Sequence, residues 1–211
     1  MPKTIDEKLA QGRQYRNFEV TKENLRTLDD GTQVVEGYAT VFNTPYVMYS
    51  DGEYTVREQI APEAFDDCDM SDVIMQYDHM GHVYARTSNG TLEVAPDDTG
   101  LKMRGYLGGT AIGRELFEEI DGGYTTKMSF GFIVGERRQE VTEDRENRKT
   151  DVLVTIAKIT KLFDVSAVSL PANDATSIYA RNLYAGVAEE VRQEVLARKK
   201  KLLKIQLMLE D

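Results

Sequence analysis

The sequence predicts a mainly β protein with flanking helices, an α+β chain folded as a closed or partly open antiparallel or mixed barrel, or a sandwich. Three observations carry this. Short runs rich in β-branched and aromatic residues recur along most of the chain, bounded by Gly, Pro and Asp-Gly turn signals. Helical periodicity is confined to one internal stretch and the C-terminal end, and no regular alternation of strand and helix suggests a parallel βαβ sheet. The 211 residues, 41% hydrophobic and 29% charged, suffice for one domain with a sizeable core but not for two full ones.

The elements follow in order. Residues 1–14 are polar and weakly patterned, and are expected to be a flexible lead-in to a domain over 15–181. Phe18 and Val20 alternate as in a first strand, and Asp29-Asp30-Gly31 marks a turn. QVVEGYATVFN (33–43) and EYTVREQI (53–60) read as strands, with Pro62 opening a short helix in APEAF. VIMQYDH (73–79) reads as the next strand. GTLEVAPDDTGLKMRGYL (90–107) reads as two more, joined at Asp97-Asp98-Thr99-Gly100. Ile112, Leu116 and Ile120 then recur at helical spacing between a capping Thr110 and Gly122-Gly123. KMSFGFIVG (127–135) and VLVTIAKITKLFDVSAVSL (152–170) are strand-like, separated by a charged loop, ERRQEVTEDRENRKTD, and closed by Pro171. Residues 182–211 form an amphipathic helix or tail. Val187, Val191 and Val195 repeat every four residues, and Leu202, Ile205 and Leu209 continue an apolar face that can stand off the body.

Composition narrows the function. With 26 basic and 36 acidic residues the net charge is -10, lacking the basic footprint that a duplex nucleic-acid binder needs. One cysteine, Cys68, rules out an intrachain disulfide and a Cys-based metal site, and favours a reducing compartment. The N-terminal residues lack the apolar core of a signal peptide, and no apolar run approaches the roughly 18 residues of a membrane-spanning helix. The expectation is a cytosolic-type protein with neither nucleic acid nor membrane as partner.

The chemistry turns on a serine. Ser129 stands among Met128, Phe130 and Phe132 in an apolar strand, where a hydroxyl is either satisfied in the core or held as a nucleophile. A nucleophilic serine needs a base against it and an acid behind the base. Only two histidines exist, His79 and His82, so a histidine base must come from YDHMGHVYARTSNGTL. His79, ending the predicted strand, is better held than His82 in the glycine-containing turn beyond it. Asp164 lies in the apolar run KLFDVSAVSL, where an ionised carboxylate is costly unless paired. Lys158 and Lys161 compete with an imidazole as that partner. Asp78 adjoins His79 but points to the opposite face of a strand. Ser166 shares a face with Asp164 and competes as nucleophile or as a hydrogen bonder. His79-Met80-Gly81-His82 also permits a metal reading, although a catalytic zinc site wants three protein ligands. Gly131 and the Arg86-Thr87 segment are the available sources of oxyanion donors.

Resemblance narrows these alternatives. FEV (18–20), EGYATVFNTPY (36–46), EQIAPEAF (58–65), YDHMGHVYARTSNGTLEVAPDDTGL (77–101), GGYTTKMSFGF (122–132) and FDVSAVSLPANDAT (163–176) occur in the order and spacing of the HK97-type prohead (capsid maturation) proteases of tailed phages. The chain resembles that family over about residues 15–181. The resemblance implies a serine endopeptidase with a herpesvirus-assemblin-like barrel, catalytic residues Ser129, His79 and Asp164, and no cofactor or metal. It implies as substrates the phage major capsid protein, its scaffolding segment and the protease itself, inside the assembling prohead in the host cytoplasm, with a homodimer as an option. Asp164 stands where relatives commonly carry Glu, one methylene longer, and the PGAF element reads Pro62-Glu63-Ala64-Phe65 here. The assemblin third member is a second histidine, for which His82 is poorly spaced. The competing functions are a catalytically inactive capsid- or scaffold-associated protein that keeps the fold and a metal-dependent hydrolase using His79 and His82.

Overall fold

The structure is a computed structural model that describes residues 4–169 and 174–210, with side chains described over 4–169 and 180–209. Among the described residues the chain runs α1 (Ile5–Gln11), β1 (Gln14–Glu19), β2 (Leu25–Thr27), β3 (Gln33–Val41), β4 (Tyr46–Ser50), β5 (Tyr54–Ile60), β6 (Ile74–Tyr77), β7 (Met80–Arg86), β8 (Leu92–Pro96), β9 (Gly100–Tyr106), α2 (Ala111–Asp121), β10 (Lys127–Asp144), β11 (Lys149–Val168) and α3 (Asp174–Glu210). The mainly β prediction with flanking helices agrees with this order. Pro171, expected to close the last strand, lies outside the described residues.

The strands form two sheets and do not close into a barrel. The larger follows the order β1-β10-β11-β5-β4, with β6 pairing the far end of β11 and β7 pairing β6; the smaller is β2-β3-β9-β8. β1 and β4, the edges of the larger sheet, are not hydrogen-bonded to each other. Arg16, Phe18 and Phe130 line one side of a cleft of about 470 Å³, and Tyr46, Val47 and Met48 of β4 line the other. An unpaired gap stands where a closed barrel would have its last ladder.

β10 and β11 position the site and correct a sequence reading. The charged stretch after KMSFGFIVG is not a loop. It continues as strand to Asp144, pairs back from Lys149 with Asp144 opposite Lys149 and Arg137 opposite Ile156, and leaves a turn of only four residues. In this half β11 carries the buried Val152, Val154 and Ile156 and pairs β5 in parallel. β10 lies outside it, beyond the reach of β1, as a charged edge, which is how exposed edges avoid further pairing.

The two ends of the chain pack on this frame. α1, opened by a Thr4–Glu7 capping box, buries Ile5 and Leu9 and pairs Asp6 with Arg137 at 2.5 Å, so structure begins well ahead of residue 15. α3 is longer than expected. Its inner half buries Leu183, Tyr184, Val187, Ala188, Val191 and Val195, whereas Leu202, Leu203, Leu207, Met208 and Leu209 are exposed. The stand-off read from the sequence holds only for the last turns. The inner half is held by a buried polar knot. Arg16 on β1 grips Glu58 on β5 through two bonds of 2.6 and 2.7 Å, and the hydroxyls of Tyr46 and Tyr184 donate to the same carboxylate. Burial alone would raise the Glu58 carboxyl, but the Arg16 charge and these donors outweigh it and hold the group below the usual carboxylate range.

Candidate active site

Three strands bring the predicted residues to one face of the larger sheet. On β10, Ser129 lies opposite Ser166 of β11, and Gly131 lies opposite Asp164. Side chains alternate along a strand, so Ser129 and Gly131 share a face, as do Asp164 and Ser166, and the pairing makes these one face. A Cβ on Gly131 would lie 2.9 Å from Asp164 Oδ2, which places the carboxylate directly against this glycine. The opposite face carries Met128, Phe130 and Phe132, all buried, so the hydroxyl strand is fixed from behind by the core.

The histidine arrives from a hairpin. β6 pairs β11 in parallel, with Ile74 opposite Asp164 and Tyr77 opposite Ala167, and turns into β7 through the two residues Asp78 and His79. Both have positive φ, 50° and 59°, the pattern of a type I′ turn, which suits the twist of a two-residue hairpin. His79 therefore sits at the tip of a turn and not at the end of a strand. The turn is tied to β11. The Asp78 N–H donates to the Ala167 carbonyl at 2.8 Å, and the Asp78 carboxylate accepts from the Ser169 N–H and hydroxyl at 2.9 and 2.7 Å. Asp78 thus serves the hairpin and not the imidazole. His82 lies on β7, exposed, and among the described residues no group of three His, Cys, Asp or Glu comes together as a metal would need.

Asp164 is the hub. It is fully buried, and its Oδ1 lies 2.7 Å from His79 Nδ1. The Ser166 hydroxyl donates to the same oxygen at 3.0 Å while accepting the Gln76 N–H at 3.3 Å, so Ser166 is committed to holding the carboxylate. Lys158 and Lys161, the competing partners, pair with Asp67 and Asp69 at 2.9 and 2.8 Å. An ionised carboxylate only accepts, so the neutral ring carries its proton on Nδ1 and presents the lone pair of Nε2. The Tyr15 ring packs on the imidazole with centroids 4.3 Å apart.

Ser129 Oγ and His79 Nε2 are both buried and both without a hydrogen-bond partner, so the serine–imidazole bond is not made in this arrangement. Ser129 is entirely shielded from solvent. The two oxyanion sources named from the sequence are already occupied. The Thr87 N–H donates to the Val73 carbonyl at 3.0 Å, the Arg86 N–H donates to Thr91 Oγ1 at 2.8 Å, and Gly131 lies in a strand paired on both sides, opposite Tyr15 and Asp164.

Sequence reasoning missed Arg13. It lies in the link between α1 and β1 and ion-pairs with Asp164 Oδ2. The sole available signal was the one already used for Asp164, that a carboxylate in an apolar strand requires a counter-charge.

Of the comparisons with known proteins, the family model agrees with the resemblance. No curated protein sequence matches the chain. Among solved structures, the bacteriophage T4 capsid assembly protease gp21 aligns with a TM-score of 0.40 and 10% identity, over 75% of this chain and 99% of that one. The family model described as caudovirus prohead serine protease matches residues 17–189. The matched span includes His79, Ser129 and Asp164 and takes in most of the chain, so the protein belongs to the prohead proteases of tailed phages.

Proposed function

We propose that the protein is a serine endopeptidase in which Ser129 is the nucleophile, His79 the general base and Asp164 the orienting acid. The observation that carries the reading is the 2.7 Å contact between His79 Nδ1 and a fully buried Asp164, on the sheet face that also carries the unpartnered Ser129 hydroxyl. In the reaction Ser129 Oγ attacks the scissile carbonyl carbon as its proton passes to His79 Nε2. The tetrahedral intermediate then collapses, the C–N bond breaks, and the same proton goes to the leaving amine. Water repeats the sequence on the acyl-enzyme, restoring the serine and releasing the acid. Asp164 fixes the Nδ1–H tautomer and stabilises the imidazolium in both halves. Although shorter than Glu, Asp reaches the ring because the hairpin carries His79 to β11.

The substrates under this reading are the phage major capsid protein, its scaffolding segment and the protease itself, cut within the assembling prohead, where a second copy of the chain is at hand for self-association. Ser129 is shielded, so cleavage requires an opening that exposes the hydroxyl and swings His79 Nε2 onto it. The same shielding favours one alternative, a catalytically inactive member that keeps the fold as a capsid-associated part. Mass spectrometry of wild type and Ser129→Ala, each co-expressed with the capsid protein, separates the two. Defined fragments of either chain that vanish in Ser129→Ala support the endopeptidase. Intact chains from wild type support the inactive member.

A further inference from the structure

We infer that Arg13, which lies ahead of the family match, is a positioning residue that locks the carboxylate of Asp164 for His79. The inference deepens the endopeptidase reading and rests on it for its catalytic meaning.

Three observations converge on Arg13. Asp164 is fully buried, and its two oxygens are divided between roles. Oδ1 faces His79 and Ser166, while Oδ2 takes the Arg13 guanidinium. Without Arg13, Oδ2 would be a buried anionic oxygen without a counter-charge, and only the bonds of Oδ1 to Ser166 and His79 would resist rotation of the carboxylate off the imidazole.

The guanidinium is itself held. Its central carbon lies 4.3 Å from the Phe163 ring centroid and 5.4 Å from that of Tyr15, an aromatic clamp suited to a planar cation. Phe163 reaches this position because of a bulge. Gly131 pairs with Asp164 and Phe132 with Leu162, so Phe163 is the extra residue on β11 and escapes the alternation that would aim it away from its neighbour. Tyr15 closes the assembly by packing against both Arg13 and His79.

Gly131 provides the space. A Cβ there would lie 2.8 Å from Arg13 Nε, 2.9 Å from Asp164 Oδ2 and 3.0 Å from the Tyr15 ring. The first two distances are shorter than real Cβ contacts and the third is tight, so a side chain at 131 would displace Arg13 and the Asp164 carboxylate two residues from Ser129. The segment bearing Arg13 is fixed in turn by α1, whose Ile5 and Leu9 are buried.

The test uses the full chain in two ways. The first is the rate of Ser129 labelling by a fluorophosphonate probe. The second is the hydrogen-bonded ring proton and ring nitrogens of His79 by ¹⁵N-histidine NMR in a Ser129→Ala background, with His82→Ala used for assignment. Arg13→Met is expected to slow limiting labelling by about tenfold to a hundredfold, as loss of an outer partner of a site residue commonly does, with the half-saturating probe concentration unchanged. It should also shift the His79 ring signals. Arg13→Lys restores part of both, since it returns the charge without the fork, and Gly131→Ala reproduces the Arg13→Met ring shift with Arg13 present. Ring signals unchanged in Arg13→Met overturn the inference, whether or not labelling falls. A wild-type chain that the probe does not label, or labels elsewhere than Ser129, counts against the endopeptidase reading. The NMR comparison still decides the role of Arg13.

Discussion

Replacing Glu58 by Gln tests how the C-terminal helix is held to the body. In the wild type a buried guanidinium and a buried carboxylate, exposed by 7% and 0%, meet in two bonds of 2.6 and 2.7 Å, with Tyr46 and Tyr184 donating to the carboxylate. Gln keeps the volume but removes the charge, leaving Arg16 as an uncompensated buried cation. Breaking such a pair from one side costs about 3–5 kcal/mol. For a chain of this size each kcal/mol moves the midpoint by about 2–4 °C, so Glu58→Gln should lower Tm by about 6–20 °C. Circular dichroism melts and urea titrations measure both quantities. The pH dependence has a definite sign. Glu58 titrates below its ordinary value in the folded protein because the Arg16 charge and three donors outweigh burial. Its contribution is therefore present above the unfolded-state value of about 4.3 and is lost as pH falls through the folded one. The gap between wild type and Glu58→Gln should narrow below about pH 4. Removing both charges, Arg16→Met with Glu58→Gln, should recover a large part of the loss because no unpaired charge remains. A loss under about 1 kcal/mol in Glu58→Gln at pH 7, or a gap constant down to pH 3, would refute the reasoning.

Two further outcomes concern the site and the tail. Asp164→Asn keeps the shape of the hub but favours the wrong imidazole tautomer, so cleavage should fall by about 10⁴-fold with the melting profile retained in shape; near wild-type turnover in a fragment-release assay would remove Asp164 from the mechanism. Truncation after Lys201 removes turns whose leucines are exposed, including Leu203 at 58% and Leu209 at 81%. Stability in urea should change by less than about 0.5 kcal/mol, and a larger loss would mean that these turns are covered in solution.

Much of the fold was legible because the longer strands carry their own apolar patterning, whereas the short or exposed β2, β4 and β7 do not and were not read. The larger errors have physical causes. The run from Glu136 to Asp151 reads as a loop by its charge density, but charges are what an exposed edge strand carries, and its partner strand supplies all the burial. Barrel closure could not be read because pairing between β1 and β4 depends on two edges far apart in sequence. At the site, Ser129, His79 and Asp164 were proposed from residue chemistry and resemblance, and the structure puts His79 Nδ1 against Asp164 and Ser129 on the same sheet face. The turn geometry of His79 was missed since DH followed an apolar alternation that suggested continued strand. Arg13, Arg16 and Glu58 were missed for a common reason. Each is an ordinary charged residue in its own segment, and becomes exceptional only when it meets a partner 151 or 42 positions away.

The hairpin tip that carries His79 has one further consequence. Positive φ at both turn positions is a backbone state in which Asn, Asp and Gly are at ease and in which histidine is tolerated. Asn at position 79 would therefore leave the β6–β7 hairpin intact, or firmer, while deleting the proposed proton acceptor. Shape and reactivity are separable here by one codon's worth of change. A descendant of this chain could keep the fold long after losing the chemistry.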